Sequence, residues 1–171
     1  MKNHEWSAAE LKSKMEAYCA ASEHCESEAR LRLRQWKCDS QTEDDIIDYL
    51  IAENYISDER YAKAFVHDKL LYQGWGRVKI EYMLRAKHIP SQTIQLALQT
   101  IDPSAYSRIL SHLISKRLPS NNLPSKNLSS KNLPSKNLSS NDKAALLRFL
   151  TQRGFTFDEI NIALGDILPK P

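Results

Sequence analysis

The chain has 171 residues, of which 42% are hydrophobic and 26% are charged, and its formal net charge is +3. Only 2 Val, 5 Thr and 4 Gly stand against 21 Leu and 15 Ala, a composition that favours helices over a β-sandwich, a barrel or a large parallel sheet. The glycines, at positions 74, 76, 154 and 165, cannot form either common glycine-rich phosphate loop, which excludes the nucleotide enzymes that use those loops.

The sequence also bears on compartment and redox state. No apolar run approaches the roughly 18 to 20 residues that a membrane-spanning helix needs, and the charged N-terminal segment lacks the apolar region of a secretory signal. We therefore expect a cytoplasmic protein. The three cysteines, Cys19, Cys25 and Cys38, form no CxxC pair, so we interpret them as reduced core thiols and expect neither a metal nor a cofactor.

Nine helices are predicted in chain order, at residues 8–21, 26–37, 41–53, 58–72, 77–87, 91–100, 103–117, 142–153 and 157–167. Three sites carry helix-start signals, which are the capping-box pairs Ser7 with Glu10 and Ser40 with Glu43, and Asp102 before Pro103. Cys25 stands where a Ser or Thr cap would open the second helix. Gly74 and Gly154 lie where a helix is expected to end in a left-handed residue.

An apolar pattern with steps of +4, +5, +5 and +4 recurs along the chain. Two copies are complete, at Ile80, Leu84, Ile89, Ile94, Leu98 and at Leu146, Leu150, Phe155, Ile160, Leu164. A weaker copy with a polar fourth site occupies Ala29, Leu33, Cys38, Glu43 and Ile47. A step of four keeps both side chains on one helix face and a step of five crosses a tight corner. The pattern predicts an all-α tandem array of three three-helix units, elongated and curved.

The predicted units comprise residues 1–55, 56–101 and 102–171. A pentapeptide repeat at 118–141, with one Leu in five and several prolines, interrupts the last unit. Such sequence cannot bury enough apolar surface to offset its ordering entropy. We predict a disordered linker, interpreted as a tolerated loop expansion in preference to a weak cationic tether.

The predicted structural corner residues are Gly74, Trp75, Gly76, His88 and Gly154. Gly, Asn and His tolerate positive φ, so we assign His88 to a corner rather than to a metal site, since no second ligand stands at metal spacing. Asn54 is a further corner of this type. Trp75 has two interpretations: packing where two helices meet, which we favour, or an exposed interface anchor beside Arg77.

Charge is distributed unevenly. Eight acidic residues and no Lys or Arg lie between Asp39 and Glu59, whereas seven basic residues oppose two acidic ones between Arg60 and His88. The basic residues are Arg60, Lys63, Lys69, Arg77, Lys79, Arg85 and Lys87. This asymmetry suits a polyanion or an acidic protein surface as partner, although solvated helix faces would give the same pattern. The helix predicted at 91–100 carries no Arg or Lys, which argues against base reading.

Catalysis has no support in the sequence. It contains no nucleophile with an adjacent base, no GxSxG and no HExxH. The acidic block is explained by helix starts and solvated faces. We therefore assign no catalytic residue and expect a protein that is not an enzyme.

The central segment carries several motifs together. They are Tyr55-Ile56-Ser57-Asp58, Arg60-Tyr61, Gly74-Trp75-Gly76, Ile80 with Leu84, Lys87-His88-Ile89 and Ala97-Leu98. This set resembles the RecX family of recombination regulators, and the C-terminal LLRFLTQRGFTFDEINIAL is similar to the last unit of that family. The chain departs from the family pattern at His88, which replaces a corner glycine, at Cys25, and in the linker.

The resemblance implies a function that the composition does not. RecX proteins modulate, and mostly inhibit, the RecA recombinase by binding in the groove of its filament on single-stranded DNA and suppressing ATP hydrolysis and strand exchange. We therefore expect a monomeric regulator of homologous recombination, DNA repair and the SOS response, with the seven basic residues facing the RecA filament and its DNA phosphates. The alternatives are a helical nucleic-acid-binding protein that acts on DNA independently of RecA and, less favoured, a helical scaffold with no DNA partner.

Overall fold

A computed structural model describes residues 6–118 and 139–167, and within these residues the chain forms nine α-helices and no strand. The helices are α1 (Ala8–Ala21), α2 (Glu26–Gln35), α3 (Ser40–Ala52), α4 (Asp58–Leu71), α5 (Arg77–Ala86), α6 (Ser91–Gln99), α7 (Pro103–Arg117), α8 (Ser140–Gln152) and α9 (Phe157–Ile167). The all-helical prediction is confirmed, and each predicted helix end lies within two residues of the observed one.

The predicted linker at 118–141 is described only at its ends. Leu118 is buried at the end of α7, and Ser140 and Asn141 already belong to α8, whose N-cap is Ser139. These ends are therefore part of the helical structure and not of a linker. Residues 119–138 lie outside the described residues, so the predicted disorder stays a prediction.

Two compact units divide the chain. Unit 1 comprises Met1–Val66 and Met83–Thr100, and unit 2 comprises His67–Tyr82 and Ile101–Pro171. The boundaries between them fall within α4, within α5 and after α6. The division by sequence into units at 1–55, 56–101 and 102–171 stays a prediction.

The repeat predicted from the apolar spacing places a tight corner at the same position in each copy. The corner residues have left-handed backbones, with φ of 60° at Lys37, 61° at His88 and 87° at Gly154. At each corner the next amide donates to the carbonyl five residues earlier, in the pairs Cys38 to Leu33 (3.1 Å), Ile89 to Leu84 (3.2 Å) and Phe155 to Leu150 (3.1 Å). This bond and the left-handed residue together form a Schellman motif, which ends one helix and turns the chain.

Corner chemistry could be predicted from the sequence in most places. The positive φ expected at His88, Gly154 and Gly74 is present, as is that at Asn54, where φ is 61°. Lys37 was not predicted, because lysine has no special tolerance for this conformation. Its position in the weak repeat copy, immediately before Cys38, was the signal that could have identified it.

Helix starts follow the sequence signals with one exception. Ser7 and Glu10 form a complete capping box, and Asp102 accepts from the amides of Ser104 and Ala105, as predicted. Cys25 caps α2 without a side-chain hydrogen bond. The capping box predicted at Ser40 and Glu43 is wrong. Asp39 caps α3 by accepting from the Thr42 amide at 3.0 Å. The Glu43 carboxylate accepts from two arginines and not from a helix-start amide.

Glu43 is a buried carboxylate in unit 1, with 4% of its surface exposed. Arg34 donates to it at 2.9 and 3.0 Å and Arg30 at 3.1 Å. The hydrogen bonds from Arg34 and Arg30 outweigh burial, so the pKa of Glu43 is lowered. The polar fourth site of the weak repeat copy is thus a buried ion pair that joins α2 to α3.

In unit 2 two backbone amides at the start of α5 donate hydrogen bonds to carbonyl oxygens at the end of α8. The Gly76 amide donates to the Arg153 carbonyl at 2.7 Å and the Val78 amide donates to the Gly154 carbonyl at 3.1 Å. The backbones are so close that a Cβ on Gly76 would lie 2.3 Å from the Gly154 carbonyl oxygen. The predicted corner role of Gly76 is therefore explained by close approach of two backbones and not by a left-handed conformation.

We predict that Gly76→Ala destabilises the protein by about 2 kcal/mol or more, because its Cβ meets backbone that cannot move without disturbing both helices. Gly165→Ala is the matched control. A Cβ at Gly165 has no atom within 4 Å, so this helical alanine stabilises by about 0.5–1 kcal/mol. Urea unfolding followed by circular dichroism measures both. Equal stability of Gly76→Ala and the parent would contradict the close approach.

We predict that Glu43→Gln lowers the free energy of unfolding at pH 7 by about 1–3 kcal/mol, because Arg30 and Arg34 lose the carboxylate that they share. This range is set below the loss expected for a fully buried pair because the Arg34 side chain is largely exposed. Since the folded-state pKa of Glu43 is lowered, its contribution is present above the unfolded pKa of about 4.3 and is lost as pH falls through the folded value. Urea titrations at pH 7 and at decreasing acid pH should show the gap between parent and variant closing.

The control for that series is Asp44→Asn, which removes an exposed carboxylate that also pairs with Arg30. We expect a change within about 0.5 kcal/mol. A Glu43→Gln effect no larger than that of Asp44→Asn would show that burial of the ion pair adds nothing.

Candidate functional site

The seven basic residues predicted as a contact surface fall into both compact units. Unit 1 holds Arg60, Lys63, Arg85 and Lys87, and unit 2 holds Lys69, Arg77 and Lys79. Some of their side chains form internal ion pairs, some lie against the ring of a tryptophan, and two, Lys63 and Arg85, are on exposed residues. These surroundings have different consequences for binding.

Arg60 braces the corner between α3 and α4. Its guanidinium pairs with Glu23 at 2.9 Å and donates to both the side chain and the carbonyl oxygen of Asn54. Asn54 is the left-handed residue of that corner. Arg60 therefore stabilises an unusual backbone conformation and has little donor capacity left for a partner.

Lys87 belongs to a half-buried polar cluster in unit 1. Its ammonium contacts the Glu28 carboxylate, which also accepts from Tyr61 at 3.0 Å and contacts His24 at 3.0 Å. Burial alone would raise the pKa of Glu28, but the hydrogen bonds from Lys87, His24 and Tyr61 lower it. Burial and the Glu28 charge raise the pKa of Tyr61. The cluster is internally satisfied, with Lys87 as its cation.

Arg77 pairs with a carboxylate within unit 2. Its guanidinium pairs with Glu159 at 3.1 Å and lies 3.9 Å from the centre of the Tyr106 ring. Glu159 also accepts from the Tyr106 hydroxyl at 3.1 Å and from the Thr156 amide at 2.8 Å. Arg77 thus joins the start of α5 to α7 and α9, and its charge is largely compensated.

Two of the predicted cations lie against the ring of Trp75. This residue is half-buried, with the Lys79 ammonium 4.4 Å and the Lys69 ammonium 5.3 Å from its ring centre. Both distances are in the range of a cation–π contact. Trp75 also lines a surface groove of about 500 Å³ together with Tyr72, Phe149 and other residues, so part of this residue faces the groove.

Lys63 and Arg85 are exposed, on α4 and α5 respectively. Of the residues predicted as corners, His88 is exposed at its left-handed position. Gly74 is buried, with φ of 60°. The seven predicted cations therefore do not act alike, and Arg60, Arg77 and Lys87 are structural ion-pair partners.

A second basic region, which the sequence reasoning missed, lies in unit 2. A groove of about 510 Å³ is lined by four basic residues, Arg108, His112, Lys116 and Arg153, and by no carboxylate. Three of these residues follow one another at steps of four along α7. That spacing places them on one helix face and was the signal that could have identified the groove.

Within 6–118 and 139–167, no three or more His, Cys, Asp and Glu side chains are grouped so that they could hold a metal ion. No helix in the same ranges is both long enough and apolar enough to cross a membrane.

The fold and these surfaces define an all-helical protein whose central helices carry a dense set of cations and whose repeat places Schellman corners at equivalent positions. Residues 57–98 match the family described as RecX, second three-helix domain. The chain belongs to the RecX family.

Individual relatives agree with this assignment. The chain is 31% identical over 131 residues to the regulatory protein RecX of Clostridium botulinum, covering 77% of this chain and 55% of that protein. It is 27% identical over 119 residues to that of Vibrio campbellii, covering 70% and 66%. The chain thus spans between about half and two thirds of the length of the curated relatives it matches.

A solved structure supports the fold. The crystal structure of RecX from Lactobacillus salivarius aligns with a TM-score of 0.73 at 19% identity, covering 93% of this chain and 95% of that one. This likeness shows that the two chains share a fold.

We predict that Lys87→Ala costs about 1–2 kcal/mol of stability, because the half-buried Glu28 loses its cation. Lys63→Ala, an exposed change of the same kind, should stay within about 0.5 kcal/mol. Thermal and urea unfolding of both variants provide the comparison. Equal stabilities would show that Lys87 is as available for a partner as Lys63.

Proposed function

We propose that the protein is a non-enzymatic, monomeric regulator of the RecA recombinase, which binds the RecA filament on single-stranded DNA and suppresses its ATP hydrolysis and strand exchange. One observation carries this proposal. The match to the second three-helix domain of RecX covers residues 57–98, and all seven predicted cations lie inside that segment.

The contacts within the protein refine which cations serve the filament. Arg60, Arg77 and Lys87 already hold carboxylates, and withdrawing a cation from such a pair leaves an uncompensated charge behind. Lys63 is exposed, and Lys79 lies against the Trp75 ring rather than against a carboxylate. We therefore propose that Lys63 and Lys79 contact the filament directly, whereas the three paired cations shape the helices that carry them.

The proposal is tested by adding the purified protein to RecA on single-stranded DNA and following ATP turnover. We expect suppression at stoichiometric amounts that weakens as salt rises, because exposed cations are screened. Unchanged turnover at low salt would overturn the proposal. Gel filtration with light scattering checks the monomeric state.

Charge reversal tests whether Lys63 and Lys79 contact the filament. We predict that Lys63→Glu combined with Lys79→Glu weakens suppression of RecA ATP turnover about tenfold or more, because attraction becomes repulsion at two contacts, while helicity measured by circular dichroism is unchanged. Lys143→Glu combined with Arg148→Glu makes the same charge change on exposed residues of α8 and should leave suppression intact. An equal loss of suppression in both double variants would show that the effect depends on net charge and not on Lys63 and Lys79.

The second candidate is a nucleic-acid-binding protein that acts on DNA independently of RecA. The observation that favours it is the groove in unit 2, which is lined by basic residues and no carboxylate. Binding of naked single-stranded DNA as tight as binding of the RecA filament would support this candidate over the first.

A further inference from the structure

Cations and aromatic rings alternate beside α1 and α2 in unit 1. The Lys14 ammonium lies 3.4 Å from the centre of the Trp6 ring and 4.8 Å from that of Trp36. The Arg32 guanidinium lies 5.4 Å from the centre of the Trp36 ring and 5.1 Å from that of Tyr18. All five residues are half-buried, and both cations contact the same Trp36 ring. Together they form a cation–aromatic seam.

Neither cation of the seam has a carboxylate partner in the described part of the chain. No ion pair within 6–118 and 139–167 includes Lys14 or Arg32. Arg32 donates from Nη1 to the Gln35 side chain at 3.2 Å, and its Nε is buried without a hydrogen-bond partner. A guanidinium has five N–H donors, arranged for a planar two-point grip on a carboxylate. Because the flanking rings already orient Arg32, it needs little further ordering to receive one.

An exposed apolar side chain lies next to the seam. Leu31 is 58% exposed and stands one helical turn before Gln35, the residue that accepts from Arg32. Covering such a side chain is favourable when the partner brings apolar surface of its own. The surface therefore offers two cationic contacts and one aliphatic contact.

The residue types of the seam favour a protein as the partner. Trp, Tyr and Arg are the residues that contribute most to binding in protein–protein interfaces. Between residues 6 and 56 the chain has eleven acidic and six basic residues, so the surface around the seam repels a long polyanion such as nucleic acid. A peptide segment with a few carboxylates carries less charge into this field, and its aliphatic side chains can cover Leu31.

We propose that the cation–aromatic seam of unit 1 binds an acidic, leucine-bearing segment of a protein partner, with a carboxylate on Arg32 and Lys14 and an aliphatic side chain on Leu31. The inference goes beyond the proposed regulation of RecA. Its surface lies outside residues 57–98 and includes none of the cations assigned to the filament.

The test is fluorescence anisotropy of a short labelled peptide in which Glu alternates with Leu and Ser, titrated with the full chain in the absence of RecA and nucleic acid. We expect saturable binding that weakens as salt rises. Lys14→Ala combined with Arg32→Ala should weaken it about tenfold or more. The control, Arg108→Ala combined with Lys116→Ala, removes one arginine and one lysine from α7 in unit 2 and should leave the affinity unchanged. Equal losses in the two double variants, or no loss in the first, would overturn the assignment.

Two milder variants separate binding from folding. Arg32→Lys keeps the charge but loses the two-point grip, and it should weaken binding about fivefold. Leu31→Ala changes an exposed side chain and should weaken binding about threefold, but it should not alter binding of the same peptide with serine in place of each leucine. Leu96→Ala is the control, since Leu96 is a 49% exposed leucine of the same unit. Equal affinities of Leu31→Ala and Leu96→Ala for the leucine-bearing peptide would overturn the role of Leu31.

Competition and molecular mass decide the class of partner. A single-stranded oligonucleotide of the same charge that displaces the labelled peptide as well as unlabelled peptide does would overturn the proposal in favour of a general polyanion site. Dimers in light scattering that the peptide dissociates would overturn it in favour of a second copy of this chain. Because RecA is absent, failure of this test is distinguishable from failure of the ATP turnover assay.

Discussion

The fold depends on the energetics of its corners. A left-handed residue and a hydrogen bond from the following amide to the carbonyl five residues back recur at Lys37, His88 and Gly154. A non-glycine residue in this conformation is disfavoured by about 1 kcal/mol or more, so the surrounding packing must compensate. The apolar residue after each corner supplies part of that compensation, because Ile89 and Phe155 are almost fully buried.

These corners explain why the apolar spacing is +4, +5, +5 and +4. The first step of five crosses the corner itself, from Leu84 to Ile89 and from Leu150 to Phe155, and lets the chain re-enter the core on the other side. Of the residues in the three repeat copies, all but Cys38 are buried. The repeat therefore follows from helix geometry. It could be recognised in a single sequence because each corner fixes the spacing between the last buried residue of one helix and the first buried residue after the corner.

The fold was more predictable than the site, and the reason is physical. Helix ends and burial follow from local chemistry and periodicity, which a linear sequence displays directly. Charge pairing does not follow from local chemistry, because the paired residues are far apart in the sequence. Glu159 is 82 residues from Arg77, and Glu28 is 59 residues from Lys87. Counting charges along the chain therefore overstated how many cations of α4 and α5 are available. It also missed Arg108 and Lys116, which lie on one face of α7 although they are not neighbours in the sequence.

The backbone contact between Gly76 and the end of α8 has a consequence for how the C-terminal helices are held. The amides of Gly76 and Val78, at the start of α5, donate to the carbonyl oxygens of Arg153 and Gly154. Helix α9 buries Ile160 and Leu164 and reaches Arg77 through Glu159. Helices α8 and α9 are thus anchored by non-covalent bonds to helices that precede residue 118. The docking of α8 and α9 is therefore specified by contacts among described residues. Cleavage of the chain between residues 118 and 139 would turn this intramolecular docking into a bimolecular association without removing any of these contacts.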